Sequence, residues 1–61
     1  MKLYELIGVM SEDINVEVWN EYDALVSEYN GRDSIGLEYN DCDVTGLTFC
    51  DNTISVWIKE G

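Results

Sequence analysis

The 61-residue chain contains no histidine, no proline, two cysteines and three basic residues. Without histidine, a Cys-His or Ser-His catalytic pair cannot form within one chain, which excludes the commonest nucleophilic mechanisms. The basic residues, Lys2, Arg32 and Lys59, are too few to form a patch that neutralises nucleic-acid phosphates. We therefore expect no direct sequence-specific nucleic-acid binding.

Long apolar runs are also missing. Glu5 and Gly8 interrupt the opening apolar stretch, unlike a secretory signal, and no run approaches the roughly 20 residues that a membrane helix needs. An anionic membrane surface would repel a chain whose formal net charge is -10. We expect a cytoplasmic protein with no membrane partner.

The length allows one domain, residues 1–61. A chain of this size buries only about 60% of the surface that its unfolded form exposes, so its core is marginal. The hydrophobic share of 46% nevertheless predicts a folded chain rather than a disordered one. Small domains usually need a disulfide, a metal or a partner subunit, and the scarcity of cysteine and histidine favours a homo-oligomer.

The first half of the chain predicts a helix and then a hairpin. Apolar residues in segment 3–10 recur at helical spacing, which predicts one apolar stripe. Segment 14–19 alternates, as a half-buried strand does, and 24–30 returns after a turn at 20–23. If Val18 and Leu25 are opposite neighbours, then Leu25, Ser27 and Tyr29 share the face of Val18.

The stretch CDVTGLTFCDNTISVWIKE, residues 42–60, predicts a second hairpin with Asp51-Asn52 as its two-residue turn. In that register all the large aliphatic residues fall on one face, so the pattern and the turn agree. Gly46 then faces Trp57, and we expect the indole to cover the gap that the glycine leaves. Cys42 and Cys50 would lie about 26 Å apart along one strand, too far for a disulfide, so we expect free thiols.

The fold class predicted is α+β, an N-terminal helix packed on a small four-stranded antiparallel sheet made of two hairpins. Residues 32–41 are either a structured loop or one helical turn, capped by Asp33 or Ser34, that carries Ile35, Leu37 and Tyr39. The predicted core consists of Leu3, Leu6, Ile7, Met10, Ile14, Val16, Val18, Leu25, Leu47, Phe49, Ile54, Val56 and Ile58.

Asp41 and Asp43 are the candidate metal ligands, although we predict no metal and no cofactor. Residues 41–46, DCDVTG, partly match a calcium-binding loop, but Asn52 stands where a bidentate glutamate belongs. Carboxylates gathered at one end of the sheet could instead hold Mg²⁺ in an oligomer. That alternative is a metal-dependent enzyme acting on DNA, such as a nickase.

The strand pattern also predicts an acidic face with exposed aromatic rings, on the side of the sheet away from the aliphatic stripe. Such a face can imitate the spaced negative charges of a nucleic-acid backbone, and tryptophan and tyrosine are enriched at interface hot spots. The alternative is an ordinary solvated face. The predicted partner-binding residues are Glu17, Trp19, Glu21, Tyr22, Asp23, Glu28 and Trp57.

The opening MKLYELI, the acidic turn SEDINVEVW and the closing hairpin together resemble the short acidic orphan proteins of phages and prophages of Gram-positive bacteria. The resemblance covers most of the chain and implies a role in host takeover or counter-defence, as in anti-CRISPR proteins and DNA mimics. It transfers no individual functional residue. We favour a non-enzymatic inhibitor that binds a basic surface of a nucleic-acid-handling protein; a nickase and a self-assembling structural domain are the alternatives.

Overall fold

The computed structural model describes residues 1–11, 13–30 and 38–60. In chain order the elements are helix α1 (Leu3–Ile7) and strands β1 (Asn15–Trp19), β2 (Leu25–Asn30), β3 (Asp43–Cys50) and β4 (Thr53–Lys59). The predicted helical turn capped by Asp33 or Ser34 lies mostly outside the described residues. Of its side chains, Tyr39 is described; it is half-buried and packs against the core.

The helix is shorter than the apolar stripe that predicts it. It begins where the Lys2 backbone N–H donates to Glu5 Oε1 at 2.8 Å, and it ends before Gly8. A five-residue helix is not stable alone, so packing has to hold it. Leu3 and Leu6 supply that packing, and Met10, beyond the last turn, is buried as well.

The sheet contains both predicted hairpins, but the prediction of a purely antiparallel sheet is wrong. The strand order is β2-β1-β4-β3, and the two hairpins join through a parallel pairing of β1 with β4. That pairing sets Val16 beside Ile54 and Val18 beside Val56. The two strands richest in buried aliphatic side chains thereby take the centre of the sheet, where both of their edges are paired.

The β3–β4 hairpin has the predicted register. Cys50 faces Thr53, and Gly46 faces Trp57. Asp51 and Asn52 have φ of 51° and 59°, as expected for a two-residue turn whose central residues both need positive φ. The register shifts between Val44 and Gly46, so β3 carries an irregularity at Thr45.

The β1–β2 hairpin has a different register from the predicted one. Val18 faces Ser27, and a shift of register then places Leu25 opposite Trp19. Ser27 and Tyr29 therefore lie on the core face as predicted, whereas the prediction for Leu25 is wrong. Val26, at the irregularity, is half-buried against the core.

The core is smaller than predicted. Its buried members are Leu3, Leu6, Met10, Val16, Val18, Ile54, Val56 and Ile58, with Ile7 and Ile14 half-buried around them. Leu25, Leu47 and Phe49 are 41%, 46% and 59% exposed, so their assignment to the core is wrong. Leu47 and Phe49 lie on the edge strand β3, and a helix of five residues is too short to cover the whole sheet. Leu25 pairs with Trp19 and so lies on the face opposite the helix.

Candidate functional site

The face of the sheet opposite α1 is formed by alternate residues of the two central strands. Because Val16, Val18 and Val56 point into the core, their neighbours Glu17, Trp19, Ser55 and Trp57 point the other way. Glu28 of β2 pairs with Glu17 and so shares this face. We call Glu17, Trp19, Glu28, Ser55 and Trp57 the acidic tryptophan face; no helix or strand of the described chain covers it.

The two indole rings are its centre. Trp19 and Trp57 are neighbours in the parallel ladder, and their rings stack with centroids 6.0 Å apart and planes 18° apart. Such a pair contributes about 0.5–1.5 kcal/mol beyond its burial. The expectation that Trp57 covers Gly46 is wrong, since a Cβ built on Gly46 meets nothing within 4 Å.

The turn between β1 and β2 anchors one of these rings. Trp57 Nε1 donates to Asp23 Oδ1 at 2.9 Å. Asp23 has a φ of 59°, and Asn20 Oδ1 holds the turn by accepting hydrogen bonds from the backbone N–H groups of Tyr22 and Ala24, at 2.8 and 3.1 Å. The carboxylate is therefore fixed where the indole N–H meets it.

Trp19 has no such anchor. Its Nε1 is shielded from solvent and has no acceptor among the described residues. Buried polar groups are normally hydrogen-bonded, and an orphaned donor reduces stability. The two stacked tryptophans therefore differ in that the indole N–H of Trp57 has a hydrogen-bond acceptor and that of Trp19 has none among the described residues.

Two carboxylates face each other beside the tryptophan pair. Glu17 and Glu28 are direct partners on β1 and β2, and Glu17 Oε1 accepts a hydrogen bond from Ser55 Oγ at 2.9 Å. Like charges placed opposite each other on neighbouring strands destabilise a sheet. Lys59, two residues beyond Trp57, shares this face by strand alternation and offsets one of the two negative charges, so the face keeps an excess of negative charge.

Further carboxylates collect at the corner near the β1–β2 turn. Glu21 Oε2 accepts a hydrogen bond from the Glu60 backbone N–H at 3.0 Å, and Asn20 Nδ2 donates to Glu60 Oε2 at 3.2 Å. Tyr22, at the turn, is 82% exposed. This corner adjoins Asp23, so it extends the acidic tryptophan face.

The structure therefore brings four of the residues predicted to bind a partner onto the acidic tryptophan face, and it places the other three, Glu21, Tyr22 and Asp23, in the adjoining turn. Sequence reasoning missed Asn20, Ser55 and Glu60. Strand alternation does predict Ser55 on the face of Trp57, although not as a binding residue, whereas the approach of Glu60 to the turn depends on the parallel strand pairing.

The candidate metal ligands are arranged differently from a metal site. Lys2 Nζ lies 3.0 Å from Asp43 Oδ1, and the hydrogen bond and charge of Lys2 lower the pKa of the Asp43 carboxyl. Residues 43–50 form strand β3, in agreement with the predicted hairpin rather than with the calcium-loop alternative. Within residues 1–11, 13–30 and 38–60, no three potential ligands gather around one point.

Both cysteines are free thiols, as predicted. Partial burial raises the pKa of the Cys42 thiol, and the nearby Glu60 carboxylate raises it further. This environment disfavours a reactive thiolate at Cys42. Cys50 is exposed at the end of β3.

Comparison with known proteins gives no further assignment. No protein-family model matches the chain, and no match was found among curated proteins or solved structures. Among the described residues there is no helix with the length and apolar character needed to cross a bilayer.

Proposed function

We propose that the chain is an acidic protein-interaction module that occupies a basic, nucleic-acid-binding surface of a nucleic-acid-handling protein. Its biological setting would be a bacterial cytoplasm, where it acts as a phage-encoded counter-defence inhibitor of the DNA-mimic, anti-CRISPR type. The observation that carries the proposal is the stacked pair Trp19–Trp57 lying beside the facing carboxylates of Glu17 and Glu28.

The facing carboxylates support a role in binding because they oppose folding. Glu17 and Glu28 repel each other across the β1–β2 ladder. A basic partner would relieve that repulsion, so part of the electrostatic free energy lost on folding would be recovered on binding. If the face served only to keep the chain soluble, placing two carboxylates directly opposite each other would bring no advantage.

The aromatic rings support contact with a protein rather than with solvent alone. Trp19 and Trp57 are half-buried on a face that lacks a covering element in the described chain. Tryptophan and tyrosine are enriched among the residues that dominate binding energy, and arginine guanidinium groups stack on their rings. A basic nucleic-acid-binding surface is rich in such arginines.

The net charge of -10 would accelerate encounter with a positive surface. Electrostatic attraction raises association rates at low salt and loses its effect as salt screens it. Charge removal from the acidic tryptophan face should therefore reduce the association rate more than it raises the dissociation rate.

A competition experiment tests the proposal. Immobilised wild-type chain is exposed to a bacterial lysate, and captured protein is eluted with short duplex DNA rather than with salt. We expect DNA to release a protein that itself binds DNA, since both would occupy one surface. The double variant Glu17→Gln, Glu28→Gln should capture about tenfold less of it. The amide oxygen that Glu17→Gln introduces can still accept the Ser55 hydrogen bond.

The matched control is Glu38→Gln with Asp51→Asn, which removes the same charge from two turns outside the acidic tryptophan face. Asn is tolerated at the positive φ of residue 51. Equal loss of capture in both double variants, or capture that duplex DNA does not reverse, would contradict the proposal. The chain alone should leave a supercoiled plasmid intact with Mg²⁺, which distinguishes it from a nickase.

A further inference from the structure

We propose that β3 pairs with β3 of a second copy of this chain, antiparallel and centred on Thr48, to make a two-fold symmetric dimer. The proposal concerns a surface separate from the acidic tryptophan face. It rests on the order of the strands, on the absence of charge along residues 45–50 of β3 and on the direction of the backbone hydrogen-bonding groups there.

Strand β3 is an edge of the sheet, and no strand of the described chain lies beyond it. The N-terminal segment covers its beginning: the Val44 N–H donates to the Met1 carbonyl at 2.8 Å, and the Leu3 N–H donates to the Cys42 carbonyl at 3.0 Å. Residues 45–50 continue past this cover, and we call them the open edge. Edge strands of this kind are templates for pairing with another chain.

Apart from the irregularity at Thr45, its first residue, the open edge lacks the features that normally prevent such pairing. It contains no proline and no charged residue, although the whole chain carries 13 acidic residues. Leu47 and Phe49 are 46% and 59% exposed on it. Because two copies repel each other through most of their surface, this uncharged segment is where they approach at the lowest electrostatic cost.

The hydrogen-bonding pattern of the hairpin fixes which groups point outward. In a two-residue hairpin the pair flanking the turn, here Cys50 and Thr53, is hydrogen-bonded, and such pairs alternate along the ladder. Thr48 and Gly46 therefore bond to β4. The backbone groups of Leu47 and Phe49 point away from β4 and are directed at a neighbouring strand.

Pairing centred on Thr48 satisfies these groups in both copies. Leu47 of each copy faces Phe49 of the other, so both outward-pointing pairs exchange hydrogen bonds and their apolar side chains meet on the core face. Shifting the centre to Leu47 would instead set Asp43 of one copy opposite Asp51 of the other. The chosen register avoids that repulsion.

The antiparallel pairing of the two β3 strands also fixes how the two copies are oriented. Side chains that face each other across an antiparallel pair lie on the same side of the sheet. The two-fold axis is thus perpendicular to the sheet, and the acidic tryptophan faces of both copies share one side. The contact is isologous, which closes the assembly at two copies.

Sedimentation equilibrium over a range of concentrations and salt tests the inference. We expect a monomer–dimer equilibrium that strengthens as salt rises, because salt screens the repulsion between copies. The variant Phe49→Lys should weaken dimerisation by at least about tenfold. Val9→Lys is the matched control, because it changes the net charge by the same amount as Phe49→Lys. Val9 is 82% exposed and lies outside the strands, so this substitution should leave dimerisation intact.

A cross-link tests the register. In a Cys50→Ser background, Thr48→Cys would place two thiols at a non-hydrogen-bonded pair with Cα atoms about 4.5 Å apart, within disulfide range. We expect a disulfide-linked dimer on oxidation. A wild-type chain that stays monomeric at all concentrations, equal dimerisation of Phe49→Lys and Val9→Lys, or failure of residue 48 to cross-link would each overturn the inference.

Discussion

Trp57 Nε1 lies 2.9 Å from Asp23 Oδ1, and this hydrogen bond joins residues 34 positions apart in the sequence. It connects β4 of one hairpin to the turn of the other. Together with the Trp19–Trp57 stack, it ties the two hairpins together on the face opposite the helix. The bond therefore serves the fold as well as the surface on which it lies.

Replacing the two tryptophans one at a time should give unequal results. Trp57→Phe removes a donor that has an acceptor and leaves Asp23 without it, whereas Trp19→Phe removes a donor that has none among the described residues. We expect Trp57→Phe to lower the free energy of unfolding by about 1 kcal/mol more than Trp19→Phe does. Urea unfolding followed by circular dichroism measures both, and equal losses would show that ring size alone matters.

Gly46→Ala should stabilise the chain. A Cβ at this position meets open space, and its φ is not in the left-handed region. The added methyl restricts the unfolded chain, which typically raises the free energy of unfolding by about 0.4–1 kcal/mol. Chemical denaturation of wild type and variant at one protein concentration provides the measurement; a clear loss of stability would mean that Trp57 packs over the glycine after all.

Glu28→Gln should make the chain more stable while weakening partner capture. The substitution removes the repulsion from Glu17 across the ladder, for a gain of roughly half a kcal/mol at low salt. The gain should shrink as salt is added, because salt already screens the repulsion between Glu17 and Glu28 in the wild-type chain. Unfolding at low and high salt tests this; a gain that does not depend on salt would point to a cause other than charge.

The contribution of the Lys2–Asp43 pair to stability should depend on pH at both ends of the scale. Lys2 lowers the Asp43 pKa from its ordinary 3.8, so the contribution is present above pH 3.8 and is lost as pH falls through the lower folded value. Asp43 raises the Lys2 pKa from 10.5, so the contribution is also lost as pH rises through that higher folded value.

A double-mutant cycle with Lys2→Gln and Asp43→Asn isolates this coupling from the other carboxylates. The coupling energy should be flat between about pH 5 and pH 9, since both groups stay charged there. Because both side chains are well exposed, high salt should reduce it. Coupling that persists below the folded pKa of Asp43 would exclude the ion pair as its source.

Two residues on the core face of the sheet, Ile58 of β4 and Phe49 of β3, should respond unequally to apolar truncation. Ile58 is fully buried, whereas Phe49 is 59% exposed. Ile58→Ala should cost about 2–5 kcal/mol, enough to unfold most of so small a domain. Phe49→Ala should cost far less under conditions where the chain is monomeric. Comparable losses for the two variants would place Phe49 in the core.

Local features of this fold could be predicted from sequence because they depend on neighbours in the chain. The Asp51-Asn52 turn and the alternation around it determine the β3–β4 register, and alternation alone puts Trp19 and Trp57 on one face. The parallel pairing of β1 with β4 could not be predicted, since parallel and antiparallel neighbours have the same alternation of inward and outward residues.

The exposure of Leu47 and Phe49 escaped prediction for a related reason. Their alternation correctly places them on the core face, but burial also requires a covering element, and alternation says nothing about how far a helix extends. The same limit applies to the site. Sequence indicated which side chains share a surface, whereas the indole stack and the approach of Glu60 to Glu21 follow from strand order.

The parallel ladder also bears on how quickly the chain reaches its native state. Each hairpin closes between residues near in sequence, but Glu17 and Ser55, partners across the central ladder, are 38 positions apart. Contacts of such long range slow folding, because loop-closure entropy is lost before the contact forms. Docking of two preformed hairpins should therefore limit the rate, and substitutions at Val18 or Val56 should slow refolding more than substitutions in either turn.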